Sequence, residues 1–479
     1  MNIINQVDFY KTSHPRQYPD GTEFVYSNMT ARSGKHTNIP SGKGVYFFGL
    51  TYYIKKYLLE EFNNNFFGKP KEIAIDEYAK IVYGSSYTEE QTKYIGNLHD
   101  LGYLPIRIKA LPEGSFVKYG VPLLTITNTH KDFYWVTNML ETQMTATLWP
   151  MITSITTAKA YLDNFYKYAE ITGGDINFVP YQVHDFSLRG MFGIEAGGMS
   201  ALATLASGVK GTDSVPGIEL AMKYYGEYLA SNIGGSVPAT EHAVMCAGGL
   251  ENEYETYRRL IEDIYPEGVV SIVSDTWDLW NVVNNILPRL KDKILARDGK
   301  VVIRPDSGNP ADILCGNESR GLIERLYEIF GGRINKKGYK VLNPKIGAIY
   351  GEGISLKMQL EILERLEKLG FCSSNIVLGI GSYAFQLVTR DTHGIAIKAT
   401  NVIINGESRP IFKDPKTDTS KTKKSAKGLI MVTKEGNEYN FIDEASPKQE
   451  KHGCLEICFE DGILKKNPTL TEIRGICNA

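Results

Sequence analysis

The chain has 479 residues, too many for one ordinary hydrophobic core, so two or three domains are expected. Its 42% apolar and 23% charged residues are the makeup of a soluble globular protein, and a formal net charge of −2 excludes the basic footprint of a nucleic-acid binder. No run approaches the roughly 20 apolar residues that span a bilayer, and Met1-Asn2-Ile3-Ile4-Asn5-Gln6 lacks the regions of an export signal, so the expectations are no membrane role and a cytoplasmic location. The six cysteines are scattered, and only Cys454 and Cys458 lie close, at a spacing no common zinc pattern uses.

Residues 1–150 read as mixed α and β. Helices are expected over Gly49 to Phe62 and Tyr134 to Leu148, and strands over Leu104 to Ala110 and Pro122 to Thr127. From Val269 onward, short apolar runs alternate with amphipathic ones, as βα units of a parallel sheet do. The runs are Val269 to Val273, Val301 to Ile303, Ile346 to Tyr350 and Ile376 to Leu378. After the third, Ser355 is placed to cap a helix and Gly370 to stop it. Leu356, Leu360, Leu363 and Leu366 form its apolar face.

Each run ends in a polar or glycine-rich tip: Ser274-Asp275, Arg304-Pro305-Asp306-Ser307-Gly308, Gly351-Glu352-Gly353 and Gly379-Ile380-Gly381-Ser382. Strand C-termini of a parallel α/β sheet gather on one face, so the tips predict a shared ligand pocket. Arg304 offers a fork for phosphate, and Asp306 and Asp278 suit ribose hydroxyls or a hydrated magnesium ion. A phosphate loop of the Gly-x-x-x-x-Gly-Lys-Ser/Thr kind is absent. Ala384 stands where a dinucleotide fingerprint needs its third glycine.

Upstream, Ser236-Val237-Pro238-Ala239-Thr240-Glu241-His242 ends in a histidine beside a carboxylate, a candidate for proton or phosphoryl chemistry. The plain alternative is that Glu241-His242 opens a helix over Ala243 to Ala247. In His184-Asp185-Phe186-Ser187-Leu188-Arg189-Gly190 an aromatic and an arginine suit a flat ring beside a phosphate. There the alternative is a structural His184-Asp185 pair with a core Phe186. Lys210-Gly211-Thr212-Asp213 reads equally well as a plain loop. Six lysines between Lys413 and Lys427 mark a solvated loop or one that closes over a polyphosphate.

In this order, His-Asp-Phe-x-x-Arg-Gly, Lys-Gly-Thr-Asp, Ser-Val-Pro-Ala-x-Glu-His, Ile-Arg-Pro-Asp-Ser-Gly and Phe-Lys-Asp-Pro resemble the nicotinamide phosphoribosyltransferase family, from Asp8 to about Gly428. The resemblance implies an irregular α/β barrel of the type II phosphoribosyltransferase kind over 151–394. It also implies a mixed α/β domain from both chain ends, 1–150 completed by 395–479. It implies transfer of the phosphoribosyl group of phosphoribosyl pyrophosphate to nicotinamide, with magnesium as cofactor, in a homodimer with shared active sites.

Carried over to matching positions, Phe186 stacks on nicotinamide from one side. Tyr10, in Asp8-Phe9-Tyr10-Lys11, stacks from the other subunit, and Asp213 accepts from the carboxamide. Arg189 and Arg304 lie by ring, ribose and phosphate, with Asp278 and Asp306 near sugar and metal; Arg390, Lys398 and Lys423 match phosphate-contacting positions. His242, preceded by Glu241, matches a histidine phosphorylated by ATP, which stimulates the transfer. Ser236, Ser274, Gly351, Glu352, Gly381 and Ser382 complete the expected substrate site, although Glu352 replaces an aspartate and Ser382-Tyr383 replace glycines of the family pattern. The rival readings are a nicotinate phosphoribosyltransferase and a catalytically silent nucleotide-binding protein on the same scaffold.

Overall fold

A computed structural model describes residues 2–40, 42–351, 353–414 and 425–479. Its chain forms two compact units: residues 1–156, 220–228 and 388–479 make the first, and residues 157–219 and 229–387 the second.

The first unit is built on a seven-stranded antiparallel sheet. The N-terminal strand Thr22–Ala31 pairs on one side with Ile395–Ile404 and on the other with Pro122–Asn128, which is why both chain ends are needed for one core. Met29, Leu124, Ile126, Ile108 and Ile397 are buried there. The sequence reading places 220–228 within the barrel, yet this segment clusters with the first unit. Tyr225 donates to the buried carboxylate of Glu113 (3.0 Å), which also accepts from the backbone N–H groups of Gly49 and Thr51 at 2.6 and 3.1 Å.

Two expected helices are longer than their patterns. The first begins at Leu50 and continues in π-helical turns to Phe67. The second divides into Val136–Met139 and a 32-residue helix, Glu141–Thr172, that runs through Pro150. The interruption is tolerated because Met151, Ile152, Ile155, Leu162 and Phe165 beyond it are all buried, which offsets the missing N–H.

The second unit holds six parallel strands in the order Gly211–Thr212, Val183–Asp185, Ile376–Ile380, Ile346–Tyr350, Asp298–Arg304 and Glu267–Val273. Residues 235–239 bridge both edges: Gly235 pairs in parallel with Gly211, and Ala239 with Ser271. Thr212 N–H donates to Gly235 O (3.0 Å), while Ser271 N–H donates to Pro238 O (2.9 Å). The sheet thus closes into a barrel through a segment with no apolar strand pattern. Between strands, Leu356–Lys368 is helical, and Ser355 Oγ accepts from Met358 N–H. Its buried face is Leu356, Gln359, Ile362, Leu363 and Leu366; Leu360 is only half-buried, because Gln359 turns inward to donate to Tyr161 O (2.9 Å).

Candidate active site

Parallel pairing puts the strand ends in register. Val273 lies beside Arg304, Tyr350 beside Leu378, Ile380 beside Asp185, and Asp185 beside Thr212. The residues just past these pairs form the site. A cavity of about 1090 Å³ extends from Val269 and Ile376, at the strand starts, to Phe186 and Arg304 at their ends.

Asp275 organises one side. Its Oδ2 accepts from the backbone N–H groups of Asp306 (2.9 Å) and Ser307 (2.7 Å) and from the Ser307 hydroxyl (2.5 Å), tying the ends of two strands together. Its Oδ1 is buried without a hydrogen bond and lies 3.9 Å from His242 Nε2. The same Nε2 is 3.8 Å from Asp306 Oδ2, and His242 Nδ1 is 3.1 Å from the Thr276 hydroxyl. His242 is therefore both the first residue of the His242–Gly248 helix and a member of a carboxylate cluster; the two sequence readings are compatible. Glu241 precedes the helix without a side-chain capping bond and is exposed.

Arg304 is mostly buried. Its Nη2 donates to Thr240 O (2.6 Å), and its Nε stands 3.7 Å from Asp306 Oδ1. Gly351 has no room for a side chain, since a Cβ there would stand 2.2 Å from Asp306 Oδ1. Asp278 is exposed and caps its own helix, accepting from Trp280 N–H at 2.8 Å. The hydroxyl of Ser274 is fully buried, donating to Ile272 O (2.7 Å) and accepting from Tyr257 (2.9 Å); only its backbone serves the site, by donating to Arg304 O.

Across the barrel mouth, Asp213 Oδ1 is 2.9 Å from His184 Nε2. Burial pushes the Asp213 carboxyl up, but hydrogen bonds from His184 and Ser236 and the charges of His184 and Arg304 outweigh it and hold the group below its ordinary value. The His184 and Phe186 rings lie 4.5 Å apart, tilted by 36°. Phe186 fits against bare backbone, because a Cβ on Gly379 would stand 2.4 Å from its Cδ2. The expected His184-Asp185 pair is not the one formed. Asp185 is buried and accepts from Ser187 N–H (3.0 Å), the Ser187 hydroxyl (2.6 Å) and the Thr212 hydroxyl (3.1 Å). Arg189 is exposed, and Ser382 opens a five-residue helix packed so closely on Gly190 that a Cβ there would stand 2.2 Å from Ser382 Oγ. Gly381 has open space around it.

Asp8, Tyr10, Arg390 and Lys398 belong to the first unit. Asp8 accepts from the Thr142 hydroxyl (2.6 Å); Tyr10 is exposed, edge-on to His14 at 5.3 Å. Arg390 and Lys398, with Arg32 and Lys413, line a basic cavity of about 210 Å³. Burial is the main influence lowering the Lys398 ammonium, reinforced by Arg32, Arg390 and Lys11 against the opposing Glu141. Glu352 and Lys423 lie outside the described residues. Sequence reasoning missed Asp275 as an anchor, His184 as the partner of Asp213, and Arg32 as a wall of the basic cavity. The Ser274-Asp275 tip was the one available signal for the first of these.

Residues 181–453 match the nicotinate phosphoribosyltransferase (NAPRTase) family, and residues 2–108 match the nicotinamide phosphoribosyltransferase N-terminal domain. The chain is 46% identical to a nicotinamide phosphoribosyltransferase of Acinetobacter baylyi, covering 99% of this chain and 96% of that one. To one from Mycoplasma pneumoniae it is 34% identical, covering 86% and 92%. The fold is shared with a nicotinate-nucleotide pyrophosphorylase of Pyrococcus furiosus (TM-score 0.58, 16% identity, 99% and 95% covered). It is also shared with human nicotinic acid phosphoribosyltransferase (TM-score 0.55, 14% identity, 98% and 92% covered). With the barrel, the strand-end cluster and near full-length likeness in agreement, the chain belongs to the nicotinamide phosphoribosyltransferases of the nicotinate phosphoribosyltransferase family.

Proposed function

We propose that this enzyme transfers the phosphoribosyl group of phosphoribosyl pyrophosphate to nicotinamide, releasing pyrophosphate and forming nicotinamide mononucleotide. The observation that carries the choice of the amide is Asp213: an ionised carboxylate fixed by His184, whose ring also meets that of Phe186. A carboxylate accepts from an amide N–H₂ and repels the carboxylate of nicotinate, so one group supplies both attraction and rejection. Phe186 offers a face on which the pyridine ring stacks, holding its nitrogen toward the anomeric carbon. The ring nitrogen forms the new bond to that carbon as the bond to the pyrophosphate oxygen breaks, and the electron pair leaves with pyrophosphate.

Arg304 supplies fixed positive charge in a largely dry setting. Asp275 and Asp306 would repel a polyanionic substrate on their own, and a divalent cation held by them would cancel that repulsion. Among the described residues no cluster of three or more His, Cys, Asp or Glu side chains is arranged to hold a metal. The oxygen donors present therefore suit magnesium that keeps water and substrate phosphates in its shell, with Asp306 and Asp275 as its protein partners. Bound there, magnesium would offset charge developing on the leaving group. The basic cavity of Arg32, Arg390, Lys398 and Lys413 suits an anion of phosphate size.

The finer parts of the reading are ATP stimulation through phosphorylation of His242, a homodimer and a cytoplasmic setting. The exposure and carboxylate neighbours of His242 support the first. Exposed Phe192, Ile194, Val215, Tyr383 and Leu387 in the barrel unit support the second. The thiols of Cys246, Cys315, Cys372, Cys454 and Cys458 suit a reducing compartment. Assay of His242→Ala tests the histidine's role: ATP stimulation is expected to disappear while basal transfer continues, and full stimulation would remove that role without touching the transferase assignment.

A further inference from the structure

We infer that His184 is the positioning residue behind amide selectivity, because one imidazole fixes both the carboxylate of Asp213 and the ring of Phe186. The inference rests on the function proposed above. An ionised carboxylate can only accept hydrogen bonds, so the 2.9 Å contact requires a proton on His184 Nε2. His184 and Ser236 take up two of the roughly four acceptor sites of the carboxylate, and the others stay available to a ligand. The other side of the same ring meets Phe186 at 4.5 Å.

His184 is itself held. Only 9% of it is exposed, and a Cβ on Gly211 would stand 2.7 Å from its Nδ1, so the neighbouring strand fits the ring only because residue 211 is glycine. The side chain of Asp213, by contrast, is 44% exposed and without this anchor would lose the first of its two side-chain hydrogen bonds. That bond is the principal one opposing the effect of its burial. A carboxyl that takes up a proton becomes a donor as well as an acceptor, and a donor can accommodate nicotinate. His184 thus makes Asp213 discriminate, although it need not touch the substrate.

The test measures kcat/KM for nicotinamide and nicotinate, with saturating phosphoribosyl pyrophosphate and magnesium, in wild type, His184→Phe, His184→Gln and both His184→Phe and wild type in an Asp213→Asn background. His184→Phe keeps a ring against Phe186 and removes the donor. It is expected to lower the nicotinamide-to-nicotinate ratio at least about tenfold, mainly by raising KM for nicotinamide, with KM for phosphoribosyl pyrophosphate unchanged. His184→Gln, which retains an N–H donor at similar reach, should recover most of the ratio. In the Asp213→Asn background, His184→Phe should leave the ratio within about twofold. An unchanged ratio in folded His184→Phe overturns the inference, as does an equally large fall without Asp213. Should His184→Phe not fold, His184→Asn, whose donor is too short to reach, carries the same expectation. A wild-type enzyme that discriminates while its variants discriminate equally overturns His184 alone; a wild type that does not use nicotinamide overturns the proposed function itself.

Discussion

Burial would protonate Asp213 more readily, and its hydrogen bonds and the nearby positive charge reverse that tendency. Its folded value is therefore below the ordinary 3.8, so its contribution to stability is present above that pH and is lost as pH falls through the lower folded value. Asp213→Asn is expected to keep nicotinamide turnover within about tenfold and to improve nicotinate use, read as the ratio of the two kcat/KM values. Arg304→Ala should lower kcat/KM by about a hundredfold or more, since it removes a preorganised cation from the reacting centre; unchanged turnover in the folded variant would take Arg304 out of the site. Asp213 was legible because it ends a recognisable block. His184 was not, because adjacent residues in a strand face opposite sides. His184 and Asp185 are neighbours in sequence, but the first reaches Asp213 and the second reaches Ser187 and Thr212.

The four strands expected from apolar runs are present: Ile346–Tyr350 as read, Glu267–Val273 with an earlier start, Asp298–Arg304 longer at both ends and Ile376–Ile380 longer toward its tip. What the runs concealed is closure. Gly234-Gly235-Ser236-Val237-Pro238-Ala239 carries no strand periodicity, yet its backbone joins the two edges of the sheet and so delivers Thr240, Glu241 and His242 to the strand ends. Thr240 shows how this works, since its hydroxyl accepts from Val273 N–H (2.9 Å) while its carbonyl accepts from Arg304. Long-range pairing of this kind has no local signature. At this scale Gly379→Ala is the informative change. The added methyl overlaps Phe186, so KM for nicotinamide should rise several-fold to about tenfold while KM for phosphoribosyl pyrophosphate stays near wild type. Equal effects on both substrates would show a general disturbance of the barrel instead.

Across the whole chain, both ends are committed to one sheet, and the return strand Ile395–Ile404 is preceded by a buried histidine with a measurable consequence. His393 Nδ1 lies 2.8 Å from the Tyr119 hydroxyl, and burial lowers the imidazole pKa to about 4 from the ordinary 6.5. The unfolded chain therefore binds more protons between these values, and stability falls as pH drops from about 6.5 toward 4, by about 2 kcal/mol at pH 5. His393→Gln should flatten that part of the acid slope in urea unfolding; parallel slopes would contradict it. No helix among the described residues is long and apolar enough to cross a membrane. The central claim is the reaction itself. It is tested most directly by incubating the purified full chain with magnesium, phosphoribosyl pyrophosphate and equimolar nicotinamide and nicotinate, then quantifying both mononucleotides and pyrophosphate. Nicotinamide mononucleotide formed in equal amount to pyrophosphate, in large excess over the nicotinate product, is the predicted result; equal or reversed product yields, or no nucleotide at all, would contradict it.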